Sequence, residues 1–430
     1  MTRQNTHRKT GCPECEDSGA LSRRRFLQAV GVTGATVAAS PMLAARAAFA
    51  AGTYSGPILL VLSLRGGMDG LSLVPPVGDA DYARLRPTIA IPSARAIGTG
   101  DRMFGLHPAL APLQPLWNSG KLAAVHAVGT PDQSRSHFEA TDTLERAAPG
   151  SSIRTGWLDR VLGVAGTGTV FEAVALGDGT APGLLTGPEL ALATYSLDSF
   201  SLQGLDWVGP RLTTALRALH SDPALPNQGA ATMTLDALAT VANVVTNFGG
   251  PRNGAVYPDF NSNRLAAALA DAAALIRADV GLQALTLDVD NWDMHSDLGA
   301  GGDGWFADQI GGVAAAIAAF ATDLGALFDR VTIVTLSEFG RRVEENGSGG
   351  VDHGHGNAVL LAGGGLAAAK VHGTWPGLAD VNLDDGDLAG TTDYRNILGE
   401  YLVKRAGLST GQLGTVFPGL TPAFVGAFAN

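Results

Sequence analysis

Two short stretches of this chain concentrate side chains that bind metals. Asp293 and His295 stand one residue apart within residues 290–297, and Asp352-His353-Gly354-His355-Gly356 sets two imidazoles around one glycine. Histidine with carboxylate suits zinc, manganese or a similar divalent ion better than calcium. An Asp-x-His pair arises often by chance, and the denser second motif can also be read as a glycine-rich turn with solvated histidines. Glu338, in Ser337-Glu338-Phe339-Gly340-Arg341, directly follows a strongly apolar run. A carboxylate there needs a metal, an arginine (Arg341 or Arg342) or hydrogen bonds. Asp69, in Arg65-Gly66-Gly67-Met68-Asp69-Gly70, lies among glycines that let backbone approach a ligand closely, though Asp-Gly is also a common turn dipeptide. The candidate metal ligands are therefore Asp69, Asp293, His295, Glu338, His353 and His355.

A nucleophile is harder to place. Residues 134–142 offer Ser134, Ser136 and Thr141 beside His137 and Asp142. Ser136 or Thr141 becomes nucleophilic if a metal lowers its pKa. Ser136 reads equally as a helix cap, with Glu139 at capping-box spacing. His137 and Asp142 keep a metal-free serine hydrolase open, but no Gly-x-Ser-x-Gly elbow frames a serine. Arg65 and Arg341 are the candidates for neutralising anionic ester oxygens by paired hydrogen bonds. Walker-type and Gly-x-Gly-x-x-Gly loops in a strand-turn-helix setting are absent, which speaks against nucleotide binding.

Positioning these loops falls to apolar runs without polar alternation, as expected of strands buried on both faces: residues 58–64, 122–128, 170–176, 282–289, 331–336 and 358–361. Between them, apolar residues recur at helical spacing through 235–248, 265–276 (with Ser262 placed to cap) and 310–327. Alternation of buried strands with helices predicts an α/β three-layer sandwich with a mostly parallel central sheet. Ligands in such sheets bind beyond the carboxyl ends of the strands. Asp69, the Asp293 loop and Glu338 all follow strands. Residues 352–357 precede theirs and must fold back to join them. Residues 51–430 read as a single domain.

The first 50 residues read differently. Arg23-Arg24 with Phe26-Leu27, a weakly apolar stretch 29–39 and small residues up to Ala50 make a twin-arginine-type export signal, predicting a periplasmic or extracellular protein. The apolar run is too short and polar for a stable transmembrane anchor. Of the chain's 29 basic and 40 acidic residues, the leader holds seven and three, so 22 and 37 remain, a net of −15. Both cysteines, Cys12 and Cys15, lie ahead of the signal, leaving the exported part free of cysteine. Such an acidic chain disfavours nucleic acid as a partner, and any anion site within it must be locally basic.

The stretches 64–71, 136–142, 337–341, 346–357 and 371–377 resemble the domain-of-unknown-function 1501 family, over essentially the whole chain from about residue 55. The resemblance implies an alkaline phosphatase-like fold, shared with sulfatases, with metal at the carboxyl rim. By chain order it implies ligand roles for Asp69, Asp293, His295 and His353 or His355. Ser337-Glu338 stands where that superfamily usually has Asp-His, and the Asp293–His295 spacing is narrower than usual. Two readings follow: a metal-dependent hydrolase of small anionic phosphate or sulfate esters, or a non-catalytic envelope protein that keeps the fold.

Overall fold

The computed structural model describes residues 54–202, 209–225, 227–258 and 264–429. The leader and Ser262 lie outside the described residues. The chain divides into a large unit, residues 48–204 and 236–430, and a small unit containing residues 205–235. In the small unit, Pro210–Leu219 is helical. The large unit holds every site residue considered below.

Its centre is a nine-stranded sheet. The strands are β1 (Ile58–Leu64), β2 (Leu122–Gly129), β3 (Ala173–Leu176), β4 (Leu192–Thr194), β5 (Ala284–Val289), β6 (Val331–Leu336), β7 (Asn357–Gly363), β8 (Val371–His372) and β9 (Thr392–Asp393). They run in the order β8-β2-β7-β6-β1-β5-β3-β4, with β9 also on β2. β1 pairs in parallel with both β5 and β6. β7 is antiparallel to both its neighbours, β6 and β2. All six apolar runs thus form strands, and the sheet is mostly parallel. Reversal of β7 means that residues 352–357 need not fold back: the start of an antiparallel strand lies at the same rim as the ends of its neighbours.

Helices cover both faces. Leu59 and Val61 of β1 turn toward a cluster built with α1 (His137–Arg146), α2 (Trp157–Ala165), α5 (Tyr394–Lys404) and α6 (Thr410–Val416). The alternate residues Leu60, Leu62 and Leu64 face the other way and are fully buried. There α3 (Leu265–Ala278) packs on β3 and β5, and α4 (Trp305–Leu324) packs on α3. The segment from Trp305 to Arg330 is long and apolar enough to cross a membrane, yet half of that apolar window is buried within the domain. Phe306, Ile310, Val313, Ile317 and Phe320 make it a core helix.

Asp69, a predicted ligand, is instead part of the frame. It caps the helical turn Gly70–Leu73 by accepting from the Ser72 amide. Both its oxygens are taken by Arg86, at 2.5 and 2.9 Å, and both side chains are buried. Burial alone would raise its carboxyl, but the Arg86 charge and hydrogen bonds outweigh that and hold it below the usual range. Its stabilisation is present above the unfolded carboxyl value and disappears as pH falls through the lowered one. Asp69→Ala leaves Arg86 charged and alone in the interior, at a cost of about 3–5 kcal/mol. The expected result is a markedly lower melting temperature with unchanged metal content per folded chain, checked by calorimetry and elemental analysis.

Candidate metal centre

Three loops and one helix start converge at the carboxyl rim. The chain leaving β5 turns through Asn291 in a left-handed backbone conformation and presents Asp293 and His295. The segment after β6 pairs with the segment before β7. Arg341 and His353 form an antiparallel bridge, and Gly340 and Gly354 hydrogen-bond across it. From β2, the chain runs through Arg135 into α1, whose first residue is His137. Gly66, after β1, takes a positive φ of 118° and passes so close that a Cβ there would stand 2.7 Å from the Asp293 amide nitrogen.

One guanidinium fastens these loops. Arg341, with its side chain fully buried, donates to the carbonyls of Gly67 (2.5 Å), Gly66 (2.5 Å), Val351 (3.0 Å) and Trp292 (3.2 Å), and to Asp293 Oδ1 (2.7 Å). Burial would raise the Asp293 carboxyl, but Arg341 and then His353 hold it down at about 2.

Each of the three imidazoles has its outer nitrogen engaged. His295 Nδ1 lies 2.9 Å from Asp352 Oδ1, His353 Nδ1 2.8 Å from the Arg135 carbonyl, and His137 Nδ1 2.7 Å from Glu338 Oε1. With those acceptors at Nδ1, the Nε2 atom of each ring is the one turned toward Asp293, and Arg341 Nη1 lies 3.5 Å from that of His295. The three Nε2 atoms face Asp293. The Nε2 atoms of His295 and His353 are 3.1 and 3.2 Å from Oδ1, and that of His137 is 3.5 Å from Oδ2. His295 and His353 Nε2 stand 2.9 Å apart. His137 Nε2 is buried without any hydrogen-bond partner. Donors bound at about 2.1 Å lie roughly 3.0 Å apart around an octahedral ion and 3.4 Å around a tetrahedral one. The separations from Asp293 Oδ1 to His295 and His353, 3.1 and 3.2 Å, fall in that span, and the 2.9 and 3.5 Å separations lie just outside it. The donors of His137, Asp293 and His353 all lie within 4.8 Å of one another. Phe339, nearly fully buried, packs against the rings of His137 and His353.

The candidate residues therefore separate. Asp293, His295 and His353 converge. Glu338 stands one step back, accepting from the Gly66 amide, the Ser337 hydroxyl and His137. His355 points into a different pocket, with Arg135, Asp384, Asp385 and Asp387. Arg341, fully buried, is spent on backbone carbonyls and Asp293, with Nη1 also 3.5 Å from His295 Nε2. Arg65 pairs with Glu145 (2.5 Å) and Asp288 (2.9 Å). Thr141 lines the adjoining cleft, while Ser136 is exposed at the α1 N-cap without a capping bond. Glu139 accepts from Ser134 instead. His137 is the donor that the sequence pointed to only as a partner in a metal-free serine hydrolase. Its signal was its place after a rim-ending strand.

Glu338→Gln removes the charged acceptor behind His137. Loss of such an outer partner weakens metal binding by about 10–100-fold. That is the expected result in a chelator competition with zinc, with the circular dichroism spectrum unchanged.

No curated protein matches the chain in sequence. Among solved structures it is similar to the C-terminal periplasmic domain of EcEptC from Escherichia coli in complex with Zn (10% identity, 86% of this chain and 89% of that one, TM-score 0.33). It is also similar to an alkaline phosphatase variant from TAB5 with Mg bound (11% identity, 72% and 91%, TM-score 0.29), whose wild-type source is an Antarctic bacterium. Residues 212–396, which carry Asp293, His295, Glu338, Arg341 and His353, match the family described as protein of unknown function (DUF1501).

Proposed function

We propose that the chain is an exported, metal-dependent hydrolase of phosphate or sulfate esters, with the ion held by His137, Asp293 and His353 and completed by His295. One observation carries this reading. Three imidazoles, each with its Nδ1 engaged, turn their Nε2 atoms toward one carboxylate at close to ligand-to-ligand distances. A divalent ion bound there supplies positive charge to an ester oxygen and lowers the pKa of a hydroxyl or water. The chain's own residues do the rest. Glu338 and Asp352 keep His137 and His295 in the ligating tautomer. Arg341 holds Asp293 ionised, and Phe339 shields one side of the rings from water. Thr141, on the wall of the adjoining cleft, is the proposed nucleophile. The proposed export rests on the twin-arginine-type pattern of the first 50 residues, which would deliver the protein to the periplasm or beyond.

A second reading has its own support. Arg341 already neutralises Asp293, so the cluster can persist without an ion as a structural knot in a non-catalytic envelope protein. The two readings part on metal content. The mature protein purified without added metal is expected to hold about one zinc or manganese ion per chain. Chelator should lower its melting temperature and abolish turnover of aryl phosphate and aryl sulfate esters. A metal-free protein whose melting temperature ignores chelator would leave the non-catalytic reading standing. His353→Ala and Asp293→Asn should each lower bound metal by at least about tenfold in the same analysis.

A further inference from the structure

The centre opens into a cleft of about 660 Å³ whose charge does not suit a simple anion. The cleft runs from Asp293, His137 and Glu338 along α1 and over the ends of β3 and β5. Its lining holds seven carboxylates (Asp142, Glu145, Asp178, Asp288, Asp290, Asp293 and Glu338) against a single guanidinium, Arg65. Arg65 is already shared between Glu145 and Asp288, and Asp142 is paired with Arg146. Asp178 and Asp290 are exposed on the wall and make no ion pair among the described residues. The local basicity expected of an anion site is therefore missing here.

Two further features point to a ligand. Thr286 lines the same cleft at 2% exposure, and its hydroxyl has no hydrogen-bond partner among the described residues. A buried orphan hydroxyl is costly unless something polar completes it. At the opening, next to His137, the Phe138 ring is 89% exposed. An open aromatic face beside carboxylates is what an ammonium group meets favourably.

We propose that this cleft takes the cationic end of a zwitterionic ester, one whose ester group is anionic and whose alcohol carries an ammonium. This inference rests on the reading of the histidine cluster as a metal centre that receives the ester. Asp178 and Asp290 attract the ammonium, Phe138 covers it, and Thr286 accepts or donates a hydrogen bond at the floor. The anionic end then lies at the ion, the one strongly positive element the site would contain. A plain dianion would instead meet uncompensated carboxylates along the wall.

The test is calorimetric titration of the zinc-loaded full-length chain with phosphocholine and with ethyl phosphate, which differ by the trimethylammonium group. Phosphocholine is expected to bind at least about tenfold more tightly. The double variant Asp178→Asn/Asp290→Asn should bring the two affinities close together. Phe138→Ala, a change at an exposed side chain that does not threaten the fold, should narrow the gap several-fold. Equal affinities, a preference for ethyl phosphate, no binding of either, or a preference that the double variant leaves intact would each overturn the proposal. Turnover of para-nitrophenyl phosphorylcholine and of ethyl para-nitrophenyl phosphate in the same samples reports separately on hydrolysis. Binding preference without turnover refutes the hydrolase and retains the cleft assignment.

Discussion

The site depends on one buried arginine. A guanidinium removed from water needs its donors matched by acceptors in fixed directions, and Arg341 finds them in four carbonyls and one carboxylate. Those acceptors belong to the loops after β1 and β5 and to the segment leading into β7. Satisfying Arg341 therefore sets the separation of three loops that are far apart in sequence. A lysine, with one charged atom and three donors, could not reach the same set. The glycines at 66 and 67 belong to the same constraint, because their carbonyls can face the guanidinium only if the backbone passes where a side chain would collide with Asp293 or Phe339.

What distinguishes the cluster from an ordinary group of surface histidines is direction. Asp352, the Arg135 carbonyl and Glu338 each commit one ring nitrogen, so the remaining lone pairs aim inward. Two ring nitrogens 2.9 Å apart beside a carboxylate make a closely spaced donor set that scattered surface histidines do not. Arg341 holds that carboxylate ionised across the working pH range, and Phe339 restricts the rings on their far side. The arrangement is thus prepared before any ligand arrives, and the free energy of preparing it lies in the fold.

The sheet was legible in the sequence because strands buried on both faces leave apolar runs that nothing else imitates. The Asp293 and Glu338 loops were legible for the same reason, since each directly follows such a run. The direction of β7 was not legible, since an apolar run carries no sign of its orientation. Asp69 shows a different limit. Its glycine neighbours look like a ligand loop, and only the fold brings Arg86 against it, from a segment with no strong pattern. His137 lies far along the chain from Asp293 and His353, so no local spacing could link them. Glu338 was rightly identified as a carboxylate needing partners, but sequence could not tell whether it would hold a metal or a histidine.

The central claim is that His137, His353 and Asp293, with His295, form one metal centre. X-ray absorption spectroscopy at the zinc edge, on the zinc-loaded protein, tests it directly. The account predicts a single ion with imidazole nitrogens and a carboxylate oxygen at about 2.0–2.2 Å, and loss of imidazole scattering in His137→Ala. A spectrum without bound imidazole, or one that His137→Ala and His353→Ala leave unchanged, would contradict it.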